Sequence, residues 1–318
     1  MKYIAFLLLP LLMGCAIQQQ VVGEFYLDQE KYDQGLSHFQ DELQKNPTDA
    51  ASHYYLGRFF LTKKEYKKAL LPLKNAVKIA PNNANYHSWL GVAYALNHDP
   101  INERKAYMQA LTLDANDQQA LLYLAHNYFD GKEYEKALSY YAKILTFWPE
   151  NESALYNRAL ALHHLKRFPE EKAALKAYLA HYSSGSNARI LITYLNELED
   201  FSYRNVLIGI RTVSIKAITF EPFKLTLTRD AKESLALIGS ILEKNKEIRL
   251  HIVVYQENNK ELARQKSLSI KHYLQDHFDI EKERLKPSWF DKAKSATINK
   301  KNVFLYEDVE FITIVSKK

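Results

Sequence analysis

The chain repeats itself with a period of 34 residues. Pro47, Pro81 and Pro149 lie on one arithmetic progression, and Ala115 occupies the missing term. The same step links Gly23, Gly57, Gly91, Ala125 and Ala159. Three positions further on it links Tyr26, Phe60, Tyr94, Tyr128 and Leu162, and in the second half of each unit Phe39, Leu73, Tyr107, Tyr141 and Leu175. A period of this length, carrying small and aromatic residues in register, predicts helix pairs that stack in a row. Each pair buries its apolar face against the next, as in a solenoid.

The residue types have a physical reason. A Gly or Ala lets the two helices of a unit approach closely, an aromatic side chain fills the space against the neighbouring unit, and proline stops the second helix. This pattern resembles the tetratricopeptide (TPR) family, and five such units span residues 15–185. Some positions depart from the family pattern: Glu42 stands where a small residue is usual, Glu103 and Glu171 replace the alanine seen as Ala69 and Ala137, and Ser183 replaces the last proline. The expected fold class is therefore an α solenoid of about five TPR units followed by a small α+β domain.

In such arrays the first helix of each pair lines the concave surface. With this register the exposed positions there include Tyr54, Arg58, Ser88, Val92, Leu122, His126, Tyr156, Leu160 and His163. The competing reading of each is packing between repeats. The groove is aromatic and mildly basic. It lacks the lysine and asparagine set with which some TPR proteins clamp a C-terminal carboxylate, so an extended or helical peptide held on aromatic platforms is the expected partner.

The first residues read as an export signal. Lys2 precedes an apolar run from Ile4 to Leu12, too short to span a bilayer. The run ends Leu12, Met13, Gly14, Cys15, which resembles the bacterial lipobox, with residues 1–14 as the lipoprotein signal peptide and Cys15 as the lipidated first residue of the mature chain. An ordinary signal peptide that happens to contain a cysteine is the alternative. Cys15 is the sole cysteine, so no disulfide forms within one molecule. Several acyl chains give stable attachment. Ala16, in place of the Asp typical of inner-membrane retention, implies an outer-membrane lipoprotein facing the periplasm.

Charge divides the chain. Residues 16–185 carry 19 basic and 19 acidic side chains, whereas residues 186–318 carry 23 basic and 18 acidic. Export argues against nucleic acid as the partner of this basic half and favours anionic wall polymer or lipid headgroups, with scattered solvated lysines as the alternative. Residues 186–204 read as a capping helix and linker. Beyond them, apolar alternation predicts strand over 206–220, helix over 230–243, strand over 248–255, helix over 262–278 and a final strand over 309–315.

The segment 205–318 resembles a divergent OmpA-like domain, because the family's helix motif is echoed by Asn259, Leu262, Ala263, Lys266, Ser267 and Ile270. The resemblance implies peptidoglycan binding through the positions of Glu257 and Lys266, which replace the family's Asp and Arg. Lysine lacks the planar fork that arginine offers a carboxylate.

No catalytic or metal-binding constellation emerges. His163 and His164 are adjacent, so on a helix they diverge, and no third ligand shares their spacing. Nine glycines form no phosphate-cradling cluster, and no serine sits in a nucleophile elbow. The reading is a scaffold without cofactor or metal, serving an envelope complex, secretion or pilus assembly. The alternatives are a regulator of a peptidoglycan-synthesising enzyme, a peptidoglycan-binding anchor, or, less favoured, a hydrolase.

Overall fold

The structure, a computed structural model, describes residues 15–298 and 300–315. The signal peptide expected over 1–14 lies outside them, and of Cys15 it gives the place in the chain, at the start of the first helix. The chain forms two compact units that divide between Ala161 and Leu162.

The first unit contains α1 (Cys15–Asp28), α2 (Tyr32–Lys45), α3 (Ala50–Thr62), α4 (Tyr66–Ile79), α5 (Ala84–Leu96), α6 (Pro100–Leu113), α7 (Gln118–Asp130), α8 (Tyr134–Phe147) and most of α9 (Glu152–His164). The odd-numbered helices are the A helices of the repeats and the even-numbered ones the B helices.

Local chemistry sets each boundary at the repeat step. Asp49, Asn83, Asp117 and Asn151 accept from backbone N–H groups at the starts of α3, α5, α7 and α9, satisfying donors that a helix end leaves open. Between the helices of each pair the chain turns through a left-handed residue: Glu30, Lys64, His98, Lys132 and Lys166, with φ between 53° and 61°.

Phe39, Leu73, Tyr107 and Tyr141 are fully buried between the layers. The small residues of the A helices are required by these neighbours: a Cβ on Gly91 would fall 2.5 Å from the Tyr107 ring, and one on Gly57 would fall 2.5 Å from Leu73.

The glutamates that depart from the repeat pattern are each supplied with a partner. Glu42 accepts from Lys45 and Gln19. The Lys45 hydrogen bond holds its carboxyl below the usual range. Glu103 accepts from Asn127 at 2.9 Å, and burial pushes its carboxyl up. Glu171, fully enclosed, meets His163 Nδ1 at 2.7 Å. For Glu103 and Glu171, at the position made for alanine, a hydrogen bond to one carboxylate oxygen offsets part of the desolvation.

Successive A helices α1, α3, α5 and α7 come closer to one another than the B helices α2, α4, α6 and α8 do. The stack therefore curves with its A helices on the inner side.

The second unit begins inside α9 and holds α10 (Phe168–His181), α11 (Gly185–Glu197), a hairpin of β1 (Tyr203–Ile208) and β2 (Arg211–Lys216), α12 (Arg229–Lys244), β3 (Ile248–Gln256), α13 (Lys260–His277), β4 (Leu285–Phe290), a ribbon of β5 (Lys294–Ile298) and β6 (Lys301–Leu305), and β7 (Glu307–Val315). The division falls earlier than the change expected after Gly185. Its cause is α11, which packs on β1: Asn196 donates to the Tyr203 carbonyl and Asn205 to the Arg189 carbonyl, while Leu191, Ile192 and Leu195 are fully buried.

The central sheet has the order β4-β3-β7, with β3 parallel to β4 and antiparallel to β7. Helix α13 makes the crossover that a parallel pair needs. Leu250, Ile252 and Val254 of β3 form one core with Leu235, Ile238 and Leu242 of α12 and Ile270 and Leu274 of α13.

Two differences from the sequence reading stand out. The single strand expected over 206–220 is a tight hairpin turned at Gly209, whose φ is 63°. Strands β4, β5 and β6 were not anticipated, since Lys286, Pro287 and Ser288 interrupt the apolar pattern of β4; as an edge strand, β4 accepts a proline.

Candidate functional site

The inner face of the first unit is built from the A helices, and its aromatic density is greatest over the first three repeats. Tyr54 and Tyr86 stack with ring centroids 4.8 Å apart, and Tyr55 meets Tyr54 edge-on. Arg58 lies over the Trp89 ring at 4.2 Å and donates to the Glu24 carboxylate at 2.7 Å. The Tyr55 hydroxyl donates to the same Glu24 oxygen at 2.9 Å. Asn85 donates to the Tyr54 oxygen at 2.9 Å, and burial pushes the Tyr54 phenol up to about 12.

These residues enclose a cavity of about 340 Å³ lined by Gln20, Glu24, Tyr54, Tyr55, Asn85 and Tyr86, with Ala51 and Asn83 completing it.

Two of the positions expected on the open groove are buried instead. Tyr54 is 3% exposed because its ring is held between Tyr55 and Tyr86, and Ser88 is 1% exposed because its hydroxyl donates to Asp117, the cap of α7, at 2.5 Å. Arg58, Val92, Leu122, His126, Tyr156 and Leu160 are half-buried along the A helices.

His126 sits with Nε2 3.0 Å from the Ser153 hydroxyl and 3.3 Å from the Asn157 amide; burial lowers its pKa. His163 belongs to the second unit, where it stacks on Tyr194 at 4.0 Å and meets Glu171.

Sequence reasoning missed Glu24, Tyr86 and Trp89. For two of them the signal was present: Glu24 is one repeat before Arg58 in the column that continues with Val92, His126 and Leu160, and Trp89 stands in a column with Tyr55 and Tyr123, whereas Tyr86 shares its column with Ser52, Ala120 and Ala154.

In the second unit Lys266 is 6% exposed. Its ammonium donates to Gln256 at 2.8 Å and to Glu307 at 2.7 Å, with the Phe220 ring 5.3 Å away. It lines a hollow of about 600 Å³ together with Phe220, Phe223, Leu262 and Gln265.

Glu257, the other position that the OmpA-like resemblance implies for peptidoglycan, is not among these partners of Lys266. Glu257 lies exposed in the turn that follows β3, with its backbone N–H donated to the Tyr306 carbonyl, whereas Glu307 stands directly across the ladder from Gln256. Among the described residues no group of three or more His, Cys, Asp or Glu is placed to hold a metal ion, and no helix is long and apolar enough to cross a membrane.

The paired helices, the 34-residue period and the small-to-aromatic contacts define a tetratricopeptide array. Residues 28–155 match the family described as the TPR domain of cytochrome c-type biogenesis protein H, a match over less than half of the chain. Among solved structures the chain resembles PilF of Pseudomonas aeruginosa, with 15% identity and a TM-score of 0.52 over 72% of this chain and 90% of that one. It also resembles PilW, described as a widely conserved type IV pilus biogenesis factor, with 14% identity and a TM-score of 0.50 over 73% of this chain and 94% of that one. At these identities the likeness is one of fold. No curated protein matches the sequence.

Proposed function

We propose that this chain is a non-catalytic, lipid-anchored scaffold that binds segments of partner proteins along the inner face of its TPR array. The observation that carries the reading is the half-buried pair of Arg58 and Trp89 on the A helices, where a ring and a pinned guanidinium supply contact area at low conformational cost. Helix-lined grooves with aromatic and amide side chains suit an extended or helical peptide. The Leu12-Met13-Gly14-Cys15 sequence supports lipidation at Cys15, and Ala16 supports outer-membrane placement toward the periplasm. The fold shared with PilF and PilW supports a role in an envelope complex, secretion or pilus assembly.

A panning experiment tests the groove. Random peptides selected on the full chain in detergent should lose binding to a Trp89→Ala, Leu122→Glu double variant. Retained binding to that variant would remove the groove from the account.

A second reading rests on the enclosed Lys266 and the hollow beside it. With an OmpA-like fold in residues 205–318, that site would take a carboxylate of peptidoglycan and make the chain a wall-bound anchor or a regulator of a peptidoglycan-synthesising enzyme. Co-sedimentation with murein sacculi that disappears in Lys266→Ala would favour it, and absence of co-sedimentation would leave the groove as the binding site.

A further inference from the structure

We propose that the cavity between α1, α3 and α5 is a specificity pocket for a basic side chain, arginine or lysine, with Glu24 as its counter-ion; the inference rests on the groove reading above. Glu24 is half exposed at the cavity wall, and both of its described partners, Arg58 and Tyr55, use Oε1. Oε2 has no hydrogen-bond partner among the described residues. A carboxylate with one oxygen tied down and one open is a positioned acceptor for a charge-assisted hydrogen bond, which is roughly twice as strong as a neutral one.

Arg58 does not compete for that place. Its guanidinium lies on Trp89 at 4.2 Å and is bonded to Glu24 and, at 3.3 Å, to the Tyr54 oxygen. It is thereby fixed as the group that orients the carboxylate.

The remaining walls favour the same sign of ligand. Tyr54, Tyr55 and Tyr86 supply aromatic walls, and among the described residues that line the cavity there is no lysine or arginine to hold an anion. An anionic ligand would have to enter against the open Glu24 oxygen. A volume of about 340 Å³ admits a long side chain and a few waters at roughly 30 Å³ each.

The pocket also provides for the backbone of the same residue. The Tyr54 oxygen accepts from Asn85 and Arg58, which leaves its own proton to be donated to a ligand carbonyl; with its phenol pushed up to about 12, that proton stays in place at neutral pH.

The test uses the full chain in detergent micelles and five-residue peptides, acetyl-Ala-Ala-X-Ala-Ala-amide with X as Arg, Lys, Gln or Glu, followed through the backbone amide resonances of the first unit. The expected result is saturable shifts around Tyr54 and Tyr86, with Arg and Lys peptides binding about tenfold more tightly than Gln.

The preference should vanish in Glu24→Gln, and without any substitution it should shrink as salt is raised from low to high ionic strength. Peptides that bind along the A helices with no preference for Arg or Lys, or a preference that survives both Glu24→Gln and high salt, overturn this inference and leave the groove reading intact. No shift with any of the four peptides overturns both.

Discussion

The guanidinium of Arg58 donates to the carboxylate of Glu24 at 2.7 Å, and the two residues stand 34 positions apart, one repeat length, in the same column of the array. The pair joins neighbouring A helices, and the Arg58 side chain is 17% exposed while Trp89 covers its face. Arg58→Ala should lower stability by about 1–2 kcal/mol through loss of the charge-assisted bond and the ring contact. Arg58→Lys should recover only part, since an ammonium lacks the planar fork and stacking face. Urea unfolding midpoints decide it: full recovery by lysine would mean that charge alone matters.

Gly91 provides a test of sign. Replacing an ordinary helical glycine with alanine stabilises, because alanine has less unfolded-chain freedom to lose. At Gly91 the new Cβ would lie 2.5 Å from Tyr107, which is fully buried and has no room to withdraw. Gly91→Ala should therefore destabilise by about 1–3 kcal/mol, the cost of overpacking. An unfolding midpoint at or above that of the parent chain would show that the layers can part.

Lys132 predicts the opposite sign. It holds φ at 60° in the turn between α7 and α8, a left-handed conformation that costs a side-chain-bearing residue about 1–2 kcal/mol relative to glycine. Its side chain is exposed, so Lys132→Gly should raise the unfolding midpoint, with a gain of up to about 1 kcal/mol after the added unfolded-state entropy is counted. A lowered midpoint would reveal a tertiary role for the lysine side chain.

His126 links stability to pH. Burial lowers its pKa in the folded chain, partly countered by Asp130, and its ring faces Ser153 and Asn157. The unfolded chain then binds the proton more readily, so stability rises with pH across this titration. The contribution is fully present above the unfolded value of about 6.5 and is lost as pH falls through and below it. Comparing unfolding free energies at pH 7.5 and 5.5 in the parent chain and in His126→Gln checks this: the variant should lose less stability on acidification. An unchanged slope would assign the acid sensitivity elsewhere.

The solenoid was legible in the sequence because its signal is redundant. Caps at Asp49, Asn83, Asp117 and Asn151, fillers at Phe39, Leu73, Tyr107 and Tyr141, and left-handed turns at Glu30, Lys64, His98, Lys132 and Lys166 all recur at one step. Surface assignment within a helix was harder. Tyr54 and Ser88 occupy a position where neighbouring A helices interlock, and periodicity within one helix does not say how close the next helix lies.

The same limit governs the second unit. The Lys266 and Glu307 pair spans 41 residues and is created by strand register, with Gln256 opposite Glu307, so a motif confined to α13 could not name the partner. Strands β4 to β6 were hidden because their polar residues and Pro287 leave no alternating pattern to read.

Site-specific photo-crosslinking in cells carrying this chain tests most directly whether the inner face binds protein. A benzophenone amino acid is placed at Val92 or Leu122 on the A helices, and at Lys74 or Gln109 on the B helices as controls. Discrete protein adducts are expected from Val92 and Leu122 that disappear when Trp89→Ala is added, and none from Lys74 or Gln109. Adducts that arise mainly from the B-helix positions, or that ignore the Trp89 substitution, would contradict a binding groove on the inner face.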